Sequence, residues 1–249
     1  MKNSFILSFN KLFFGVLLLL VSVNIIGAFS ENASFLQTAK VFFIPALLTL
    51  FFIKYKSLSL PFILFFLFSF LGDVSLAFFD NEFFIKASSV FYFLSYLSLI
   101  GIAFFKFKFF EIDKVVGTYL VVVFLINAYF LYTFYSILKA IVPDSFEVLL
   151  FGVKNLSLIL LVFLAFGMYL ANDTKPSILF LMVALCLVFS TILNYVSLYY
   201  VYSWSFVMLE RIIYAIGVYL LLNYIMVENK NAIIQNKAQD RYNSDNIFA

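Results

Sequence analysis

Five ionisable side chains stand inside long apolar stretches of the sequence: Lys40, Asp73, Lys154, Glu210 and Arg211. A charge in such surroundings is costly to keep, so each is a candidate for a site within a membrane. Carboxylates at Asp73 and Glu210 offer acid/base chemistry, because partial burial raises a carboxyl pKa towards the range where it can give up a proton. The cations Lys40, Lys154 and Arg211 suit a phosphate. Two further sets share a helical face by spacing: Ser190, Asn194 and Ser197, and Glu210, Tyr214 and Gly217. By the same rule the neighbours Glu210 and Arg211 point apart.

The elements that carry these residues follow from composition. Of 249 residues, 65% are hydrophobic and 12% charged, and the mean hydropathy is +1.09. A soluble domain is nearer half apolar and a quarter charged, so a water-soluble fold is excluded. The apolar residues come in runs long enough to cross a bilayer, and lipid offers backbone groups no partner, so each run must be helical. The fold class expected is all-α, a bundle of about eight transmembrane helices at 12–29, 36–53, 58–79, 87–105, 115–138, 148–170, 177–200 and 205–227. Residues 228–249 read as a flexible, aperiodic cytoplasmic tail. With 37 phenylalanines, most are expected to face lipid.

Basic residues orient the bundle. With the N-terminus inside, the cytoplasmic segments hold Lys2, Lys11, Lys54, Lys56, Lys106, Lys108, Lys114, Lys175, Lys230, Lys237 and Arg241. The outer loops hold only Lys86 and Lys139. Both termini are therefore expected in the cytoplasm, in a multi-pass protein of the cell (inner) membrane. Trp204 with Tyr195, Tyr199, Tyr200 and Tyr202 then falls at the outer interface, where amphipathic rings are favoured. The segment Ala28-Phe29-Ser30 admits signal-peptide cleavage as an alternative, but the apolar region and basic leader are longer than such peptides have, and a retained first span is preferred.

In this orientation Lys40, Asp73, Lys154, Asn194, Glu210 and Arg211 all lie roughly 6–10 Å below the outer interface, at 1.5 Å per helical residue. Convergence at one depth predicts a polar layer in the outer third of the bundle. A plainer reading stands beside it. Lys40, Lys154 and Arg211 can snorkel to the interface, and Asp73 and Glu210 can serve as structural ion pairs. Pro61-Phe-Ile-Leu-Phe and Pro176-Ser-Ile-Leu-Phe open the third and seventh spans, and Lys40 recurs as Lys154. A parallel four-plus-four repeat is one reading of this, chance similarity between apolar helices the other.

The stretch Ser69-Phe-Leu-Gly72-Asp73-Val-Ser-Leu76, followed by a short acidic loop and a span with Phe91, resembles the lysoplasmalogenase-like (YhhN-type) membrane family. That family carries Gly-Asp-x-x-Leu late in its third span, after a span with an early Lys, which Lys40 and Pro45 match loosely. The resemblance implies an eight-span fold and hydrolysis of the vinyl-ether bond of a lysolipid to a fatty aldehyde and a glycerophospho head group. It departs at two points: Ser95 and Ser98 stand where the family has His and Tyr, and Ser190-Thr191 stands where it has Ser-Asp.

Asp73 and Glu210 are the expected catalytic pair, with Lys40, Lys154, Asn194, Arg211, Ser190 and Tyr214 binding substrate. The expected partner is a membrane lipid or lysolipid. Nucleic acid is excluded, because a net charge of +3 is scattered among loops. No cofactor is called for, and without His and with the single Cys186 there is no metal-ligand set. Rival readings are a non-catalytic lipid-binding or scaffolding protein and a small-solute transporter. The transporter ranks last, because such proteins carry broken helices and this chain has only 8 Gly and 4 Pro, the prolines mostly at helix starts or in loops.

Overall fold

Pro45 sets the first departure from the expected layout. It has no N–H to offer the Val41 carbonyl, and its ring crowds that group, so the second apolar segment is divided at Phe42. The computed structural model describes residues 2–29, 33–55, 58–77, 81–106, 114–171, 173–201 and 203–247, and every regular element among them is a helix. In chain order these are α1 (Lys2–Phe29), α2 (Ala33–Val41), α3 (Phe43–Lys54), α4 (Leu60–Ala77) and α5 (Glu82–Lys106), then α6 (Lys114–Ile141), α7 (Ser145–Ala171), α8 (Lys175–Tyr199) and α9 (Trp204–Ile247). Of the residues singled out above, Ser30, Lys56, Lys108, Tyr202, the expected end of the third span at 78–79 and the last two residues of the expected tail lie outside this description.

Among the described residues, six helices are long and apolar enough to cross a membrane: α4, α5, Gly117–Ile141 of α6, α7, α8, and Trp204–Lys230 of α9. Phe13–Gly27 and Thr38–Ile53 are shorter apolar stretches. The chain is thus a multi-pass helical membrane protein. Past Glu228 the backbone of α9 continues as helix to Ile247, where an aperiodic tail was expected.

Local sequence explains the helix starts. Thr174 caps α8 in a capping box with Ser177, and Pro176 sits in its first turn, where a missing N–H costs nothing. Pro61 holds the same place in α4. Short turns make sequential helices antiparallel, and cross-contacts show which turns share an end. The Phe29 ring lies 4.7 Å from that of Trp204, Lys86 pairs with Asp144, and Tyr199 donates to Glu147 Oε1 at 2.5 Å, so the end of α1, the start of α5, the turn between α6 and α7, the end of α8 and the start of α9 gather together. At the opposite end Lys106 donates to the Tyr224 hydroxyl at 2.7 Å and pairs with Glu228, tying α5 to α9.

The core runs along the α4–α5–α7–α8–α9 assembly, through Phe65, Leu99, Leu161, Ala184 and Leu221, with Leu47 of α3 against it. Among the phenylalanines whose side chains are described, a minority are buried in this core (Phe43, Phe66 and Phe180 among them), and the exposed ones, such as Phe52, Phe104 and Phe105, outnumber them. At Gly217 an added Cβ would lie 3.1 Å from the Cys186 Cβ, so the missing side chain lets α9 close tightly on α8. α6 is peripheral. It packs on α7, and between Gly117 and Ile141 only Leu120 and Leu138 are buried.

Candidate functional site

Apolar packing against lipid-like surroundings gives little preference between partners, so polar contacts between membrane helices carry much of the specificity, at about 0.6 to 2 kcal/mol each. In this chain they meet at one point. Lys40, in the last turn of α2, sends its Nζ to Glu210 Oε1 of α9 at 3.0 Å and to Asp73 Oδ1 of α4 at 3.5 Å. One ammonium therefore bridges two carboxylates from different helices.

Each carboxylate has further donors. Tyr92 of α5 gives its hydroxyl to Asp73 Oδ1 at 2.6 Å, and Tyr214 of α9 gives its own to Asp73 Oδ2 at 2.8 Å. Ser190 of α8 donates to Glu210 Oε1 at 3.2 Å, while Arg211 Nε stands 3.1 Å from Glu210 Oε2. Lys40, Asp73, Glu210 and Arg211 are each at most 4% exposed. Two buried cations face two buried carboxylates, so the cluster is charge-balanced, and every carboxylate oxygen has a donor or cation against it. The Lys40 ammonium also lies 4.6 Å from the Tyr214 ring centroid, over its face.

Gly72 makes the Tyr92 bond geometrically accessible. A Cβ at that position would come within 3.2 Å of the Tyr92 ring, so its absence lets α5 bring the hydroxyl onto the neighbouring Asp73. The Gly-Asp pair thus acts as a unit: one residue clears the space and the next accepts the bond.

Beside the cluster is a cavity of about 20 Å3, lined by Lys40, Tyr92, Lys154, Asn194, Glu210 and Tyr214 among others. That is room for about one water molecule with several polar partners. Tyr96 and Thr191, linked at 3.3 Å, form another part of its wall. Glu210 reaches the cavity directly. Asp73 does not line it and sits behind the hydroxyls of Tyr92 and Tyr214.

All eight residues expected in the site gather at this cluster or its cavity, with two corrections to their arrangement. Glu210 and Arg211, expected to point apart, are in contact at 3.1 Å because both side chains are enclosed between helices rather than displayed on an open face. Lys40 and Arg211 do not snorkel, since each is held among buried partners. Lys154 is half-buried, lines the cavity, and has no carboxylate within ion-pairing distance among the described residues.

No family model, curated protein or solved structure matches the chain. The site must therefore be read from its own chemistry.

Sequence reasoning missed Tyr92, Tyr96 and Thr191. A signal existed, because Ser88, Tyr92, Ser95 and Tyr96 form a polar stripe at helical spacing on α5, and all four are buried. Ser95 does not take the place of a catalytic base, since its hydroxyl donates to the Tyr92 carbonyl of its own helix at 2.7 Å. No group of three His, Cys, Asp or Glu side chains able to hold a metal occurs among the described residues.

Proposed function

We propose that the chain is a lysoplasmalogenase-like hydrolase of the membrane, acting on the vinyl-ether bond of a lysolipid. The observation that carries this reading is the pair of buried carboxylates sharing the Lys40 ammonium beside a polar cavity of one-water size. The resemblance around Gly72 and Asp73 supports it. The same reading counts the two shorter apolar stretches as spans, which gives eight with both termini in the cytoplasm, and takes Lys40 and Lys154 as equivalent places of a parallel repeat.

Vinyl-ether hydrolysis starts with a proton delivered to the alkene carbon, which leaves an oxocarbenium ion on the ether oxygen side. In this reading Glu210 is the acid, because it is the carboxyl with access to the cavity, and it takes up its proton from bulk solvent by way of that cavity before each turnover. Its carboxylate then faces the cation and takes back a proton as water adds. The hemiacetal so formed separates into a fatty aldehyde and the free hydroxyl of the glycerophospho head group. One water is consumed and the acid is restored. Asp73, expected from the sequence as the other catalytic carboxylate, becomes a positioning residue that orients the Tyr92 and Tyr214 hydroxyls and Lys40. Ser190 and Asn194 hold the water.

The assay is aldehyde release by purified protein from a vinyl-ether lysolipid, beside a saturated alkyl-ether control. Release from the first only, abolished in Glu210→Gln and reduced in Asp73→Asn, is expected. Undiminished release by Glu210→Gln would remove the mechanism.

A second reading, a non-catalytic lipid-binding scaffold, is favoured by one observation: the charges of Lys40, Arg211, Asp73 and Glu210 cancel, as structural ion pairs require. A scaffold releases no aldehyde and tolerates exchanging Lys40 and Asp73 for a neutral pair.

A further inference from the structure

Five of the six long apolar helices bury between 39% and 50% of their most apolar stretch, whereas α6 buries 6%. The inward side of α6 is accounted for: Leu131, Phe134 and Leu138 pack with Phe151 of α7 and Tyr195 of α8. Its opposite side is exposed along the length of the helix.

That outer side is not simply apolar. Thr118, Val122, Leu125, Tyr129, Tyr132 and Ser136 follow one another at alternating intervals of four and three residues, and all six are exposed. This is the spacing at which one face of a helix meets a second helix along a continuous seam. The Thr118 hydroxyl donates to the Lys114 carbonyl at 2.9 Å. The hydroxyls of Tyr129, Tyr132 and Ser136 have no hydrogen-bond partner among the described residues. Tyr129 stands midway along Gly117–Ile141, about 18 Å from either end at 1.5 Å per residue. A tyrosine ring cannot reach water from that depth, and lipid chains give a hydroxyl nothing to bond.

Such a face fits a helix that offers hydroxyls at the same depths, and a second copy of the chain does so by construction. A two-fold axis along the membrane normal sets each hydroxyl opposite its own counterpart. A hydroxyl is both donor and acceptor, so like can bond like. Between Gly117 and Ser136 there is no charged residue, so the face does not repel itself.

We propose that the outward face of α6 is a homodimer interface within the membrane, a parallel seam between two copies of α6 held by the hydroxyls of Tyr129, Tyr132 and Ser136. Helices in lipid gain little from apolar contact alone, so these bonds supply the preference for the seam over lipid. Neither the buried carboxylates nor turnover enters the argument. The dimer encloses α6 on both sides, and so braces the wall that α6 gives to a cavity of about 70 Å3 shared with α7 and α8.

The test uses the full chain in two measurements. In the first, Cys186→Ala removes the single cysteine, and Val122→Cys, Leu125→Cys, Val121→Cys or Leu97→Cys supplies one in its place. Val121 and Leu97 are also exposed, but the first lies to one side of the seam and the second is on α5. Mild oxidation in membranes is expected to give a disulfide-linked dimer at positions 122 and 125 and none at 121 or 97. In the second, energy transfer between chains carrying donor or acceptor dyes at their C-termini gives the dissociation constant in maltoside micelles. Tyr129→Phe/Tyr132→Phe should weaken association about tenfold, as loss of one intramembrane hydrogen bond does. Both rings lie outside the core, so the fold of each copy does not depend on their hydroxyls. Cross-linking at 121 or 97 as strong as at 122, or none at any position, overturns the proposal. So does a Tyr129→Phe/Tyr132→Phe chain that associates as tightly as the parent, or a product at 122 whose mass shows a different polypeptide as its second component.

Discussion

Replacing Lys40 by Met tests the physical core of the site. The substitution keeps the side-chain volume and removes the one cation that lies 3.0 Å from Glu210 and 3.5 Å from Asp73. Two buried carboxylates then face only Arg211, leaving one negative charge uncompensated in a low-dielectric interior. Breaking a buried pair from one side costs about 3–5 kcal/mol, because the partner is left desolvated. Removing Asp73 as well, in Lys40→Met/Asp73→Asn, restores neutrality between Glu210 and Arg211. The double variant should therefore lose less than the two single variants added together, with a coupling of about 2–3 kcal/mol. Unfolding in mixed dodecyl sulfate and maltoside micelles gives the cycle. The reporter is the single Trp204, whose ring contact with Phe29 joins α9 to α1 and is lost on unfolding. Strictly additive losses, or a Lys40→Met protein within about 1 kcal/mol of the parent, would refute the argument that one ammonium serves both carboxylates.

Two smaller perturbations probe the surroundings. Tyr92→Phe deletes the 2.6 Å bond to Asp73 and should cost about 1–2 kcal/mol in the same unfolding measurement; an unchanged midpoint would show that the hydroxyl contributes nothing. In the turn after α6, the bond from Lys86 and the Phe146 amide, which donates at 2.8 Å, hold the Asp144 carboxyl below its ordinary range. A depressed folded-state pKa stabilises above the unfolded value near about 3.9, and that contribution disappears as pH falls through the folded value. The difference in thermal midpoint between the parent and Asp144→Asn should accordingly be present at neutral pH and close below about pH 4. A gap that stays constant on acidification would contradict this.

Charges buried in apolar helices can be located from sequence because their depth is simply counted from the helix end. That is why Lys40, Asp73, Glu210 and Arg211 could be expected together before any contact was known. Rotation about the helix axis is harder. Glu210 and Arg211 follow each other and would diverge on an open surface, but enclosure between α8, α2 and α9 brings both inward. Tyr92 was passed over because intramembrane tyrosines read as interface anchors, and only the approach permitted by Gly72 reveals it as a donor to Asp73. Access was not legible at all. Nothing in the residue types says that Glu210 borders the cavity while Asp73 lies behind two tyrosines, since that depends on which helices close around each carboxylate. The helical continuation past Glu228 was equally hidden, because those residues lack an apolar period.

The interruption at Phe42 has an electrostatic result of its own. Lys40 occupies the final turn of α2, so its ammonium stands at a helix terminus where the aligned peptide dipoles present about half a negative charge. Since Pro45 cannot donate to the Val41 carbonyl, that terminus is fixed by the chain itself. Some of the compensation for the cation therefore comes from main-chain groups that no side-chain substitution at Asp73 or Glu210 can remove. A protein stripped of either carboxylate still holds a backbone reason to keep a positive charge at this spot.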